Sequence, residues 1–222
     1  MQNMVFLGLE KNTFEQFQSI SERLKQGNSS SIAQELGQVL ADMSCHVVDQ
    51  VFGEIAKIRA YSELESENTL QQIKDNLKKY MPWAIALFSN ERLNPLVEYL
   101  QTQMQYKNEQ HFLTYHVDQT LLNEAINYMA QIEKGDQSYI IPAFQVFTKI
   151  VDQGIDQLIY APKKLLKFNF VVDKTLTGVI HLTTQLGYKR IEKVSMQFDF
   201  IHAQKTLMHF FSFLEQPSQP ST

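Results

Sequence analysis

The chain has 222 residues, 44% hydrophobic and 20% charged, a balance typical of a globular protein, which excludes wholesale disorder. A single domain can reach this length, so we expect one domain over residues 1–214, followed by a disordered polar tail at 215–222. The net charge of −4 argues against a dedicated nucleic-acid-binding protein.

The single cysteine, Cys45, excludes an intramolecular disulfide, and a reducing compartment fits best. The N-terminal stretch has no positively charged region before its apolar run, and that run, from Met4 to Leu9, is too short for the core of a signal peptide. No window approaches the roughly 18 uncharged apolar residues that a spanning helix requires. The sequence therefore predicts a soluble, cytoplasmic protein that does not cross a membrane.

The first helices follow from capping residues and glycines. Asn12 with Glu15 begins a helix of about residues 13–26, which Gly27 ends. Ser31 with Gln34 begins a second helix, predicted to run to about residue 61. Its apolar residues recur at steps of three and four: Ile32, Leu36, Val39, Leu40, Met43, Val47, Val51, Ile55 and Ile58.

Prolines and glycines also delimit the next helices. A third helix is predicted to begin at Asn68 and to be interrupted by Pro82, and the pair Asn94 and Pro95 indicates another start. A further helix is expected over residues 109–134, ended by Gly135.

The last part of the chain continues this pattern. A helix is expected over 138–160, ended by Ala161 and Pro162, then a short segment at 167–173 that could be extended, and a helix to residue 186 before Gly187. Strand content is expected to be near nil. The prediction is an all-α fold, a single bundle of about seven or eight helices with a largely buried apolar C-terminal helix.

That C-terminal helix is apolar in almost every direction over residues 191–214. Such a helix is normally buried in a bundle or covered by a partner subunit. We favour a core helix, which predicts that Phe200, Ile201, Met208 and Phe211 are all buried; a homodimer interface or the wall of an apolar cavity is the alternative.

Two stripes of acids and histidines could hold a metal, Asp42, His46 and Asp49 on one helix and Asp199 and His202 on another. The pattern lacks the paired Glu-x-x-His motifs of di-metal bundles. We therefore expect no metal and no cofactor, with His46 exposed or at a boundary, paired with its neighbouring carboxylates. His202 is expected to be hydrogen-bonded to Asp199 at the edge of the core.

Charge is distributed unevenly. Residues 1–162 carry 12 Lys and Arg against 20 Asp and Glu, whereas residues 163–222 carry 8 against 4. Basic residues interleaved with aromatics suit an anionic partner, such as a membrane surface or an acidic protein. The candidate contact residues are Lys163, Lys164, Lys167, Lys189 and Arg190; a solvated face that complements the acidic half is the alternative.

Trp83, the only tryptophan, and Phe211 complete the candidate binding residues. No phosphate-binding glycine loop, G-x-S-x-G or H-E-x-x-H motif occurs, so catalysis is not favoured. We expect a non-catalytic interaction or regulatory module that docks a protein partner or self-associates through the C-terminal helix. The alternative is a small-molecule module, either a sensor of an apolar ligand or a bundle enzyme using the histidine and carboxylate stripes.

Overall fold

The structure, a computed structural model, describes residues 3–27, 30–53, 63–197 and 199–214, with the backbone alone for 63–68 and 190–197. The helices in these ranges are α1 (Lys11–Lys25), α2 (Ala33–Val48), α3 (Glu63–Ile85), α4 (Asn90–Thr102), α5 (Gln119–Glu133), α6 (Ile140–Ile155), α7 (Ala161–Leu166), α8 (Phe170–Gln197) and α9 (Phe200–Phe211). Helices make up most of the described residues, which confirms the predicted multi-helix bundle. The predicted tail at 215–222 lies outside the described residues.

The prediction of near-nil strand content is wrong. Strands β1 (Met4–Gly8), β2 (Met104–Lys107) and β3 (Gln110–His116) form an antiparallel sheet with β3 in the middle. Asn108 and Glu109 both have positive φ, 51° and 62°, which gives the two-residue turn whose twist matches a hairpin. The helix predicted over 109–134 is therefore a hairpin strand followed by α5.

The sheet has one face in the core. Val5 lies opposite Tyr115 and Leu7 opposite Leu113, and all four side chains are buried, as expected for a period of two. On the opposite face, where Met4 and Thr114 are also buried, the rings of Phe6 and Phe112 meet edge to face, with centroids 5.6 Å apart.

The core is contiguous from Val5 near the start of the chain to Leu214. α2 and α3 form the most extensive helix pair within it. Gly37 permits their close approach, because a Cβ there would lie 2.6 Å from the Cα of Pro82. Pro82 itself lies inside α3, so the predicted interruption is wrong and the helix continues to Ile85.

Two helix ends predicted from glycines agree with the structure, whereas the end predicted from a proline does not. Gly27 and Gly135 follow α1 and α5 with φ of 69° and 91°, which confirms both predicted ends. The predicted end at Ala161 and Pro162 is wrong: a π-helical turn, Asp156–Tyr160, leads from α6 directly into α7. Pro162 lies in the first turn of α7, where its missing N–H costs least.

Other predicted limits move by several residues. α4 begins at Asn90, four residues before the predicted start, and α3 begins at Glu63 rather than at residue 68. α8 begins at Phe170 and continues through Gly187, so the extended segment at 167–173 and the stop at residue 186 are both wrong. α2 ends at Val48 and passes into a π-helical turn, Asp49–Gly53; residues 54–62 of the predicted helix lie outside the described residues.

The C-terminal apolar stretch belongs to two helices. Asp199 caps α9 by accepting the backbone N–H of His202 at 2.9 Å. Leu207 and Phe210 are buried, but Ile201 and Met208 are 59% and 50% exposed, and Phe200 and Phe211 are only half-buried. The prediction that all four of Phe200, Ile201, Met208 and Phe211 are buried is therefore wrong. The prediction placed residues 191–214 on a single helical wheel. Because these residues belong to two helices, α8 and α9, the wheel did not show that one side of α9 faces solvent.

Candidate functional site: an apolar and basic surface at the α3–α8 contact

Two sequence clusters that are far apart in the chain meet where α3 packs on α8. Ala84 of α3 is buried against Val172 and Leu176 of α8, with Tyr80 and Phe168 packed around them. The contact brings the predicted cluster around Trp83 next to the basic segment 163–170. The sequence indicated each cluster but not their meeting.

The turn between α7 and α8 is fixed by side chains. Lys167 has φ of 47°, a left-handed conformation that ends α7. Nη2 of Arg92 donates to the carbonyl oxygens of Leu166 at 2.6 Å and of Lys167 at 3.1 Å. Asn169 caps α8 by accepting the N–H of Val172 at 3.0 Å, so both sides of the turn are held.

This turn directs neighbouring apolar side chains in opposite directions. Phe168 packs inward on Phe88, with ring centroids 4.9 Å apart. Phe170 and Val171 point outward and are 80% and 71% exposed. These are large exposures for such side chains, and two adjacent ones indicate a contact surface more strongly than single exposed residues do.

Further exposed apolar residues lie in α3, in the turn after it and in α7. Trp83 is 43% exposed and lies edge to face with Tyr80 at 6.4 Å. Leu87, in the turn that follows α3, and Leu165 of α7 are exposed as well. We call the set Trp83, Leu87, Leu165, Phe170 and Val171 the α3–α8 surface.

Lysines accompany this surface. Lys164 and Lys167 are exposed beside Leu165 and Phe170. Lys79 is exposed on α3, where its ammonium lies 5.1 Å from the ring centre of Tyr80. An apolar patch accompanied by ammonium groups suits a partner that offers both apolar contact and negative charge.

The other predicted basic residues have different positions. Lys163 is only 13% exposed, and its ammonium binds the Asp173 carboxylate at 2.6 Å and the Thr177 hydroxyl at 2.8 Å, so it ties α7 to α8. Lys189 is exposed but lies 16 residues beyond Asp173, about 24 Å along the helix. The side chain of Arg190 lies outside the described residues.

The residues weighed as metal ligands take separate partners. Nδ1 of His46 lies 3.2 Å from Glu10, not against the neighbouring carboxylates as predicted, and its half-buried position confirms the expected boundary placement. Asp49 pairs with Lys74 at 3.0 Å, and Asp42 accepts the amide of Gln38. The predicted bond between His202 and Asp199 is confirmed at 2.8 Å.

Among the residues that the structure describes, no group of three or more His, Cys, Asp or Glu could hold a metal ion. Cys45 is buried in α2, and burial raises the pKa of its thiol. A raised pKa makes the thiolate scarce at neutral pH, which disfavours a nucleophilic role. Phe211 is half-buried against the edge of Phe147, with centroids 6.4 Å apart.

Sequence reasoning missed Arg92 and Asn169, the residues that fix the α7–α8 turn. Asn169 had a readable signal, an asparagine placed before an apolar run. Arg92 had none, because it acts on a carbonyl 74 residues away.

None of the helices in the described ranges combines the length and apolar character needed to cross a membrane. Comparison of the chain with protein-family models, curated proteins and solved structures finds no match. The case for a function therefore depends on the geometry alone.

Proposed function

We propose that this protein is a non-catalytic binding module that docks reversibly on anionic membrane surfaces through the α3–α8 surface. The observation that carries the proposal is the exposure of Phe170 and Val171, 80% and 71%, three to seven residues after the exposed Lys164 and Lys167. Apolar side chains can enter the boundary between headgroups and acyl chains while the ammonium groups remain among anionic headgroups.

Magnitudes favour a weak, reversible contact that needs both components. Each lysine near an anionic leaflet contributes about 1 kcal/mol, and full burial of a Phe or Val side chain contributes about 1.5–3 kcal/mol. Three lysines and two inserted side chains thus give several kcal/mol before the cost of immobilising the protein. Neither the charges nor the apolar side chains suffice alone.

The fixed turn supports the same proposal. Arg92 and Asn169 hold the backbone on both sides of Phe170, so little conformational entropy is lost when the side chains insert. A cytoplasmic location, as the single cysteine suggests, would place the protein beside the anionic inner leaflet.

The test is co-sedimentation with phosphatidylcholine vesicles that contain or lack about one third phosphatidylserine. We expect binding to the anionic vesicles only, falling steeply between about 0.05 and about 0.5 M salt as screening increases. Because Trp83 is the only tryptophan, its emission reports on this surface and should shift to the blue on binding.

The double variant Phe170→Ser with Val171→Ser should reduce vesicle binding at least about tenfold. The matched control is Ile201→Ser with Met208→Ser, which removes two exposed apolar side chains from α9 and should bind like the wild type. Equal loss in both double variants, or binding to heparin without binding to vesicles, would contradict the proposal.

A further inference from the structure

The solvent-facing side of α8 extends well beyond the α3–α8 surface. Side chains about 100° apart along a helix place Val171, Lys174, Gly178, Leu182 and Lys189 on one side, all of them exposed. Buried residues such as Val172 and Leu176 occupy the other side. We call the exposed side, from Val171 to Lys189, the α8 face. It is continuous with the α3–α8 surface, because Val171 belongs to both.

The charge on the α8 face is positive throughout. Lys174 and Lys189 are exposed, and within the described part of the chain neither has an ion-pair partner. Asp173 is the only carboxylate between residues 170 and 189, and it binds the ammonium of Lys163 at 2.6 Å. In a chain with a net charge of −4, a helix side of this length without an acidic side chain suits an anionic partner.

The neutral polar groups of the α8 face have partners within α8. The hydroxyl of Thr175 donates to the carbonyl oxygen of Val171 at 2.9 Å. The side chains of His181 and Gln185 are hydrogen-bonded to each other, with their Nε2 atoms 2.9 Å apart. A Cβ on Gly178 would meet no atom within 4 Å, so the middle of the face is open. This side of the helix can therefore approach a flat surface without leaving these groups unpaired.

We propose that the docked protein lies with α8 parallel to the membrane, so that the α8 face contacts anionic headgroups along its whole length. This inference rests on the proposed membrane docking and adds its orientation. At 1.5 Å per residue, Lys189 lies about 27 Å from Val171 along the helix, whereas charges are screened over about 8 Å at physiological salt. With α8 end-on to the membrane, Lys189 would be beyond the reach of the headgroups.

The first test is Lys189→Gln in the full chain, measured by co-sedimentation with the phosphatidylserine vesicles. If α8 lies along the membrane, losing one lysine near the anionic leaflet should weaken binding about fivefold. The matched control is Lys134→Gln, which removes one exposed positive charge at the end of α5 and should bind like the wild type. End-on docking predicts no loss in either variant.

The second test places a negative charge in the middle of the α8 face. Gly178→Glu and Gly178→Gln add side chains of nearly equal size where the space is open, so both variants should fold, which circular dichroism verifies. Gly178→Glu should bind the vesicles at least about fivefold more weakly than Gly178→Gln. Equal binding of the two variants would contradict the proposed orientation.

The third test reports contact directly. A nitrobenzoxadiazole label on Leu182→Cys is compared with the same label on Met208→Cys of α9, since these side chains are 55% and 50% exposed. Both variants also carry Cys45→Ala, which removes the chain's other thiol. Vesicle binding should shift the emission to the blue at position 182 and not at position 208.

The outcomes separate the orientation from the docking itself. Vesicle binding that Phe170→Ser with Val171→Ser reduces, but that Lys189→Gln does not, together with an unchanged emission at position 182, would overturn the orientation and leave the docking in place. An equal blue shift at positions 182 and 208 would also overturn the orientation. Failure of the wild type to bind anionic vesicles would overturn both.

Discussion

The α3–α8 surface and the exposed side of α9 both present apolar side chains, but they do so in different surroundings. On α9, Ile201 and Met208 are exposed two turns apart with Lys205 between them, above a stripe of fully buried residues. On α8, Phe170 and Val171 are adjacent, more exposed, and located at a turn that Arg92 holds.

The difference separates residues that stabilise the fold from residues that are available for contact. The buried apolar side chains of α9 belong to the core: Leu207 and Phe210 are buried, and the ring of Phe210 packs on Phe147 of α6. The first apolar residues of α8 differ in burial. Val172 is buried in a small cluster with Ala84, whereas Phe170 and Val171 are exposed to solvent. An apolar helix is therefore a weaker indicator of a binding surface than a short apolar run at a fixed turn.

The largest effect is expected in the buried stripe of α9. Leu207→Ala should lower the free energy of unfolding by about 2–5 kcal/mol, because Leu207 is fully buried and its removal leaves a cavity. Urea denaturation followed by circular dichroism measures the loss. Vesicle binding by the folded variant should be unchanged, and a change of less than about 1 kcal/mol would show that this stripe is not part of the core.

Arg92→Met is expected to have the next largest effect on stability, about 1 kcal/mol. The guanidinium donates to two backbone carbonyls, but it is itself exposed, so its contribution lies below that of a buried charged hydrogen bond. Because the turn that presents Phe170 loosens, vesicle binding should fall about threefold in the same variant.

The matched control for Arg92 is Arg23→Met, which removes another surface arginine, partly exposed and paired with Glu35 at 2.7 Å. Its loss should cost no more than about 1 kcal/mol and should leave vesicle binding unchanged. If Arg23→Met reduced binding as much as Arg92→Met, general charge rather than the held turn would explain the effect.

A smaller effect is expected for Ile201→Glu combined with Met208→Glu. Two exposed side chains flanking a lysine form too small an apolar area for a stable dimer. We therefore expect light scattering to give the mass of one chain, 25.8 kDa, for both wild type and variant, and stability to change by less than about 0.5 kcal/mol. A wild-type dimer that the variant dissociates would instead support the self-association that the sequence suggested.

The sequence predicted the helical elements of the fold but not its sheet. The spacing of apolar residues and the glycines at 27 and 135 predicted the helical class and two helix ends, because these signals are local. The hairpin was missed because its turn, Asn108 and Glu109, lacks the glycine that usually marks positive φ.

The candidate site was predicted in pieces. The sequence analysis named Trp83, Lys164 and Lys167 as candidate contact residues. It also named Lys163, whose ammonium instead forms an ion pair with Asp173 within the protein. Composition cannot distinguish a lysine that faces solvent from one that bridges two helices. The contact between α3 and α8 depends on the packing of Ala84 against Val172 and Leu176. These residues are far apart in the chain, so no local sequence pattern indicates that they pack together.

The smallest effect concerns the caps of the two helices, which differ in whether they titrate. α8 is capped by Asn169, a neutral amide, whereas α9 is capped by the carboxylate of Asp199. The backbone N–H of His202, and then its side chain, lowers the pKa of Asp199 below its ordinary value. A carboxylate with a lowered pKa in the folded state adds stability above its unfolded pKa of about 3.9, and this contribution is lost as the pH falls through the folded value.

Acidification should therefore weaken the start of α9 and leave the start of α8 unaffected. Asp199→Asn keeps an acceptor for the cap but cannot titrate, so the part of the acid dependence due to this residue should vanish while stability near neutral pH stays close to that of the wild type. Asp199→Ala should be less stable at both ends of the range. Urea midpoints at about pH 7 and about pH 3 for the three proteins measure this, and an acid dependence identical in wild type and Asp199→Asn would show that the cap of α9 is as insensitive to pH as that of α8.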